Sequence, residues 1–165
     1  MLYHYVGPRS IAARSGAAVC GVPVSTPTDL LPRLSSGNVT VTFVVSAEGT
    51  LLVADRHSEH VACAGNRPVR AAGEMCFAIE RGRVVVTRVS NQSTGYCPEP
   101  DSWDAVADAL RAVGLEPTAG FDPRCEFRRC VACGWLNLVK HGVFECVGCR
   151  ADLPDEYNAQ ETPGK

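Results

Sequence analysis

The sequence predicts an α+β fold: an antiparallel sheet with packed helices, followed by a C-terminal zinc ribbon. Three observations lead to this prediction: two pairs of β-rich segments joined by short turns, an amphipathic helix after them, and two C-x-x-C motifs near the C-terminus. Consecutive hairpins form an antiparallel sheet, and the helix buries its apolar face against it. We assign residues 1–122 to the α+β domain, 123–154 to the zinc ribbon and 155–165 to a disordered tail.

Two short helical segments precede the predicted sheet. Ser10–Ala18 is the first, with a proline before it and Gly16 inside it. The second begins at Thr26, a capping residue followed by Pro27 at the first helical position and Asp29 two places later. A further proline at position 32 limits this second segment to a turn or two.

The sheet is predicted from β-branched residues and turn signals. The expected strands are Val39–Ser46, Leu51–Ala54, Cys76–Ile79 and Val84–Val89, with turns at residues 47–49 and around Arg81-Gly82. A helix capped by Asp101-Ser102 follows and ends at Gly114. Its apolar residues recur at the spacing of one buried helix face, and they are Trp103, Val106, Ala107, Leu110 and Val113.

The composition excludes several classes of protein. Of 165 residues, 45% are apolar and 21% are charged, which excludes a wholly disordered or a fibrous chain. The net charge of −2 excludes a general attraction to nucleic acid or membranes. No apolar run reaches the roughly 18 residues that a membrane span needs, and the first residues lack the features of a secretory signal. We therefore expect an intracellular, cytoplasmic protein with no membrane partner.

Four of the nine cysteines predict a zinc site. Cys130 and Cys133 form one C-x-x-C pair, and Cys146 and Cys149 form a second pair after twelve intervening residues. Two such pairs present four thiolates tetrahedrally to Zn²⁺, and a site closed by four sulfurs leaves no position for water or substrate. We expect the zinc to be structural, because a ribbon of this size lacks a sufficient core of its own.

The segment between the two cysteine pairs is predicted to form a hairpin. Residues 135–139 form one strand, Lys140-His141-Gly142 the turn, and residues 143–145 the return strand. His141 lies at this turn and is expected to be exposed to solvent and not a ligand. The alternatives to zinc are disulfides, which need an export route, and a redox motif, which needs a single C-x-x-C pair at the start of a helix.

A polar cluster after the first hairpin is a candidate catalytic site. His57, Glu59 and His60 lie within four residues, and either histidine can act as a base with Glu59 or Glu74 as orienting or acidic partner. The alternative is a solvated turn between strands. A zinc deaminase is rejected, because that chemistry needs proline before its C-x-x-C pair and Arg129 precedes Cys130 here. Cys63, Cys76 and Cys97 could supply a nucleophile, but we expect each of them to be a buried and inert thiol.

A longer pattern covers residues 40–115. It consists, in order, of His57-Ser58, Gly65, Ala71-Ala72-Gly73-Glu74, Ser93-Thr94-Gly95-Tyr96-Cys97-Pro98 and the amphipathic helix. This pattern resembles a module of bacterial effector-type proteins and of plant calmodulin-binding IQ-motif proteins, which carries His-Ser-Ser, Ala-Gly-Glu and Ser-Gly-His-Tyr-x-Pro. Here Gly95 replaces the histidine of the module, and Glu59 replaces its second serine. The resemblance implies an effector-type protein and assigns no activity.

Three functions are compatible with these features. The region from residue 124 to 150 carries five basic residues against two acidic ones, with Phe127, Trp135 and Phe144 among them. This pattern favours a binding or adaptor module whose ribbon contacts nucleic acid or a protein partner. The alternative is a small enzyme for group transfer or hydrolysis that uses His57, Glu59, His60 and Glu74. The third is a structural role, with the ribbon as a brace; the oligomeric state stays open.

Overall fold

The computed structural model describes residues 1–16, 20–34 and 37–161. The α-helices are α1 (Arg9–Ser15), α2 (His60–Cys63) and α3 (Trp103–Ala112), with 3-10 helices at Pro27–Arg33 and Pro100–Ser102. The strands are β1 (Val22–Pro23), β2 (Asn38–Ser46), β3 (Leu51–Asp55), β4 (Val69–Glu80), β5 (Arg83–Ser90), β6 (Glu126–Arg129) and β7 (Leu136–Val139). Strands β1 to β5 form one antiparallel sheet in the order β1-β3-β2-β4-β5, and β6 and β7 form a second. The predicted α+β class is confirmed.

The larger sheet is covered on both faces, and the central strand β2 shows why. Val41, Phe43 and Val45 pack with α3 and the first 3-10 helix, whereas Val44 packs on the opposite face with Val61 of α2. A strand that is buried on both faces needs apolar residues at consecutive positions. Each fully buried side chain of this size stabilises the fold by about 1.5–3 kcal/mol.

The predicted hairpins are present, and one strand is longer than expected. Strands β2 and β3 pair around the turn at 47–49, and β4 pairs with β5 around Arg81-Gly82. Strand β4 begins at Val69, seven residues before the predicted start, because Ala71, Ala72 and Gly73 pair along β2. These small residues are also common in loops, so the sequence gives no sign of a strand here. In the sheet, their small size lets neighbouring elements approach closely.

The predicted helical segments are found with altered bounds. Helix α1 ends at Ser15, and the predicted end at Ala18 lies outside the described residues. The second segment is a 3-10 helix in which the Asp29 carboxylate accepts hydrogen bonds from the backbone N–H groups of Ser25 and Thr26. Ser102 occupies the N-cap of α3, but its hydroxyl donates to the Glu99 carbonyl at 2.6 Å and makes no cap hydrogen bond.

The structure differs from the predicted hairpin between the two cysteine pairs. Strand β7 pairs with β6, where Phe127 faces Leu138, and not with residues 143–145. Those residues make only isolated bridges, Val143 to Lys140 and Glu145 to Asp152. The sequence does not predict β6 as the partner strand, because three of its four residues are charged. Phe127 is the single buried aromatic residue that joins β6 to the core.

Residues 155–161, which the sequence predicts to be part of a disordered tail, make ordered contacts in the structure. Asn158 and Ala159 are buried, and the Tyr157 hydroxyl donates to the Cys97 carbonyl at 2.7 Å. Polar side chains order this segment by binding backbone groups, and its acidic composition does not reveal such contacts. Residues 162–165 of the predicted tail lie outside the described residues. Within the described part of the chain, no helix has the length and apolar character to cross a membrane.

Gly73 is fixed by the close approach of β5 to β4. A Cβ atom at this position would lie 1.8 Å from the carbonyl oxygen of Ser90, which is a backbone atom that cannot rotate away. Any side chain here must separate β4 from β5. The glycine of the Ala-Gly-Glu motif therefore has a structural role.

We predict that Gly73→Ala lowers the free energy of unfolding by about 3 kcal/mol or more, because the added methyl group overlaps the Ser90 carbonyl. Urea unfolding followed by circular dichroism measures this loss. Gly120→Ala is the matched control, since a Cβ atom there meets nothing within 4 Å. Equal stability of the two variants would contradict the prediction.

Candidate metal centre and polar cavity

Four cysteine sulfurs converge next to the β6-β7 sheet. The Sγ atoms of Cys130, Cys133, Cys146 and Cys149 all lie within 4.8 Å of one another. The Sγ atoms of Cys130 and Cys149 are 3.5 Å apart, and those of Cys133 and Cys146 are 3.6 Å apart. A tetrahedral ion with metal–sulfur bonds of about 2.3 Å holds its sulfurs about 3.8 Å apart, whereas a disulfide needs about 2.05 Å. The four thiols are unpaired and their spacing fits a metal ion.

The two cysteine pairs form backbone turns of the same geometry. The N–H of the first cysteine donates to the carbonyl five residues later, from Cys130 to Trp135 and from Cys146 to Ala151, at 2.9 Å in both turns. The residue after the second cysteine, Gly134 or Arg150, has a positive φ and donates back to the first cysteine. Because the turns match, they present their sulfurs as two equivalent halves of one site.

Hydrogen bonds to the Cys146 sulfur favour its thiolate form, which binds metals. The Gly148 N–H lies 3.4 Å from Cys146 Sγ, and the buried amide of Asn137 lies 3.6 Å from it. Burial raises the pKa of this thiol, but backbone N–H donors of Cys149 and Gly148 and the neighbouring thiols outweigh it and lower the pKa to about 6. Backbone hydrogen bonds lower the pKa values of Cys133 and Cys149, but hydrogen bonds with the other thiols of the group outweigh them and raise both. Thiolates are the form that binds metals.

The arrangement can hold one metal ion and offers it four sulfur ligands. Among the described residues, this is the only group of three or more histidine, cysteine or acidic side chains with metal-binding spacing. His141 is exposed at its turn and lies outside the group, as the sequence predicts. With four protein ligands, the bound ion would have no open position for a substrate.

A buried arginine joins this unit to the segment that follows it. The Arg128 guanidinium donates to the carbonyl oxygens of Pro154, Asp155 and Phe127 at 2.8–3.2 Å. It also lies 5.4 Å from the centre of the Phe144 ring, within the range of a cation–π contact. The planar fork of arginine suits several acceptors at once. Its charge is therefore used inside the protein and is not offered to a partner.

The segment 153–161, here called the C-terminal strap, connects the metal-binding unit to the α+β domain. Asn158 pairs with both backbone groups of Arg129, accepting from its N–H at 2.7 Å and donating to its carbonyl at 2.8 Å. The Arg129 side chain donates to Gly134 and Ala159 carbonyls. Gln160 donates to the carbonyl of Tyr96 in the domain at 2.9 Å.

Large apolar side chains on the metal-binding unit remain exposed. Val131 and Val147 each follow the first cysteine of a pair and are 79% and 73% exposed, and Trp135 is 60% exposed. A Cβ atom at Gly148 would lie 3.8 Å from Trp135 Cγ, so Trp135 sits beside the second cysteine pair. We call Val131, Trp135 and Val147 the apolar tip.

The four predicted catalytic residues line one cavity of about 260 Å³. His57 and Glu59 are exposed, and His60 and Glu74 are partly buried. His60 Nε2 lies 2.9 Å from the Gly73 carbonyl, so a backbone group orients this ring, and not a carboxylate as the sequence predicts. Burial lowers the pKa of His60, while the bond to Gly73 and the charges of Glu74 and Glu59 oppose that shift.

The other motif residues are explained by packing. A Cβ atom at Gly95 would lie 2.5 Å from Tyr5 Cε2, so a histidine here would displace that ring. The buried Tyr96 donates to the Arg67 carbonyl at 2.8 Å. Burial raises the pKa of the Cys63 and Cys97 thiols to about 12, which makes both thiols poor nucleophiles, as expected. Cys76, which was expected to be buried as well, is only partly buried.

Sequence reasoning missed two features of these sites, the strap residue Asn158 and the carbonyl of Gly73. An asparagine in a polar tail carries no sign of its partner, and a backbone carbonyl carries no sequence signal at all. The comparisons with known proteins supply no further assignment: no protein-family model, curated protein or solved structure matches the chain.

We predict that Asn158→Ala lowers the free energy of unfolding by about 2 kcal/mol, because it leaves two backbone groups of Arg129 without partners. Thermal and urea unfolding measure the loss. The exposed Glu156 in the same strap provides the control, and Glu156→Ala is expected to leave stability unchanged. If both variants unfold alike, the strap does not hold the unit in place.

Proposed function

We propose that the protein is a zinc-ribbon binding module whose structural zinc ion fixes an apolar tip for a protein partner. The observation that carries this proposal is the exposure of Val131, Trp135 and Val147 on a unit whose cysteines can hold a metal ion. Exposed apolar side chains of this size, grouped on one small unit, are typical of interaction sites.

The ligand chemistry supports zinc. Four thiolates in tetrahedral spacing are typical of structural Zn²⁺ sites, and iron is the main alternative for such a set. The unit also needs the ion for stability. Its own buried apolar residues beside the cysteines are few, with Leu153 buried and Val139, Phe144 and Ala151 partly buried. Metal binding supplies the folding energy that such a core lacks.

The contacts that the basic side chains make within the protein favour a protein partner over nucleic acid. Arg128 and Arg129 donate to backbone carbonyls within the protein. Arg150 pairs with Glu145 at 2.9 Å, and Arg124 lies 4.0 Å from Glu126. Phosphate binding needs several cations free to displace counterions, and these contacts reduce that number. The tip itself is apolar and uncharged, which suits the core of a protein interface.

The same chemistry supports an intracellular location. The nine cysteines are unpaired, and four of them must remain thiolates to hold the ion. Oxidising compartments convert such pairs to disulfides, whereas the cytoplasm keeps them reduced.

We predict that the purified protein holds one zinc ion per chain and is colourless, which distinguishes zinc from iron. Cys133→Ser and Cys149→Ser lose the ion, and the amides of β6 and β7 then lose protection from hydrogen exchange. Elemental analysis and exchange mass spectrometry measure both effects. The control is Cys20→Ser, an exposed cysteine outside the site that leaves zinc content unchanged.

We predict that Trp135→Ala weakens binding of the protein partner at least about tenfold, because buried aromatic anchors dominate interface energies. Proteins captured by the wild type and lost with this variant are purified, and their Kd is measured by calorimetry. Ile79→Ala, which truncates an apolar residue on the sheet that is 42% exposed, is the control. Tight binding of single-stranded oligo-dT that depends on Trp135 would contradict the choice of a protein partner.

A further inference from the structure

The polar cavity beside α2 is a second site, separate from the metal-binding unit. It is lined by groups with complementary chemistry: Arg56, His57, Glu59, His60, Glu74 and Gln92. Its volume of about 260 Å³ matches a small molecule and excludes a folded partner. Cavities that combine a histidine with charged groups of both signs are candidates for acid–base chemistry.

The imidazole of His60 is held in one neutral form. A carbonyl oxygen only accepts hydrogen bonds, so His60 Nε2 donates to Gly73 and carries the proton of the neutral ring. The lone pair then resides on Nδ1, which has no hydrogen-bond partner among residues 1–16, 20–34 and 37–161. Gly73 lies within β4, where its pairing with Phe43 of β2 holds the carbonyl in place. The acceptor that fixes the ring is therefore rigid.

The surrounding charges suit a ring that gains and loses a proton. Burial favours the neutral imidazole at pH 7, and the carboxylates of Glu59 and Glu74 stabilise the cation that forms on proton uptake. Arg56 and His57 line the cavity from the same loop as Glu59. Two further groups act on these carboxylates: Arg88 on β5 interacts with Glu74, and Tyr5 with Glu59. Gln92 adds a neutral polar wall.

We propose that this cavity is a general-base site in which His60 Nδ1 takes a proton from a small organic anion bound by Arg56. The acidic C–H or O–H bond of the substrate breaks, its electron pair stays on the substrate, and an N–H bond forms at Nδ1. Glu59 and Glu74 stabilise the resulting imidazolium, which returns its proton to the product or to water. The site is independent of the proposed zinc ribbon.

The test uses 5-nitrobenzisoxazole, a probe that reports a general base without knowledge of the natural substrate. A base removes its ring C–H proton, the electron pair forms a nitrile, and the N–O bond breaks to release a nitrophenolate. We expect the intact chain of residues 1–165 to exceed free imidazole by about a hundredfold at equal concentration. The rate should fall only as the pH drops through a value below 6.5.

His60→Gln keeps an N–H donor for the Gly73 carbonyl and removes the base, so we expect at least about a tenfold loss of rate. The control is His4→Gln, because the side chain of His4 is exposed and its bonds to Gln160 use only backbone atoms. A wild-type rate no higher than that of imidazole, or an undiminished rate in His60→Gln, would overturn the proposal.

A measurement on the wild type guards against misfolding of the variant. In ¹⁵N spectra of the histidine rings, His60 Nε2 must carry the proton at pH 7, and the Nδ1 signal must move when the nitrophenolate product is added. The signals of His4 and His141 stay in place. A His60 ring protonated at Nδ1 instead, or one that does not respond to the product, would also overturn the proposal.

Discussion

Four sulfur atoms crowded within 4.8 Å of one another constrain the whole C-terminal part of the protein. Thiolates at this distance repel one another, and the attraction of each sulfur to a divalent cation between them would outweigh that repulsion. The two matching turns carry these sulfurs, and the Asn137 amide lies 3.6 Å from Cys146 Sγ. The unit buries few apolar side chains of its own, so a metal ion bound by these sulfurs would supply much of its stability.

The C-terminal strap makes this unit part of the α+β domain. Arg128 and Asn158 bind backbone groups of the strap and of β6, and Gln160 reaches the domain at Tyr96. These contacts hold the Arg128 guanidinium inside the protein, whereas the side chains of Arg124 and Arg150 stay exposed. The proposed protein partner is argued from the exposed side chain of Trp135 and not from the net charge of the unit.

Sequence reasoning recovered what depends on local pattern. Strands β2 to β5, helix α3 and the grouping of the cysteines follow from periodicity, turn residues and spacing. It failed where an element depends on distant partners. The sequence of β6 is that of a charged loop, and only its pairing with β7, in which Phe127 faces Leu138, makes it a strand. Asn158 lies in a polar segment, and it is ordered by its hydrogen bonds to the backbone of Arg129. The grouping of His57 with Glu74 around one cavity was anticipated, whereas the carbonyl that orients His60 was not.

We propose that a zinc ion bound by four sulfurs organises the C-terminal unit and its apolar tip. X-ray absorption at the zinc edge of the purified protein measures this directly, since it counts the ligand atoms and gives their distances. The account predicts four sulfur neighbours at about 2.3 Å and no nitrogen or oxygen neighbour. A spectrum with nitrogen or oxygen ligands, or a protein that holds no zinc and links these sulfurs as disulfides, would contradict it.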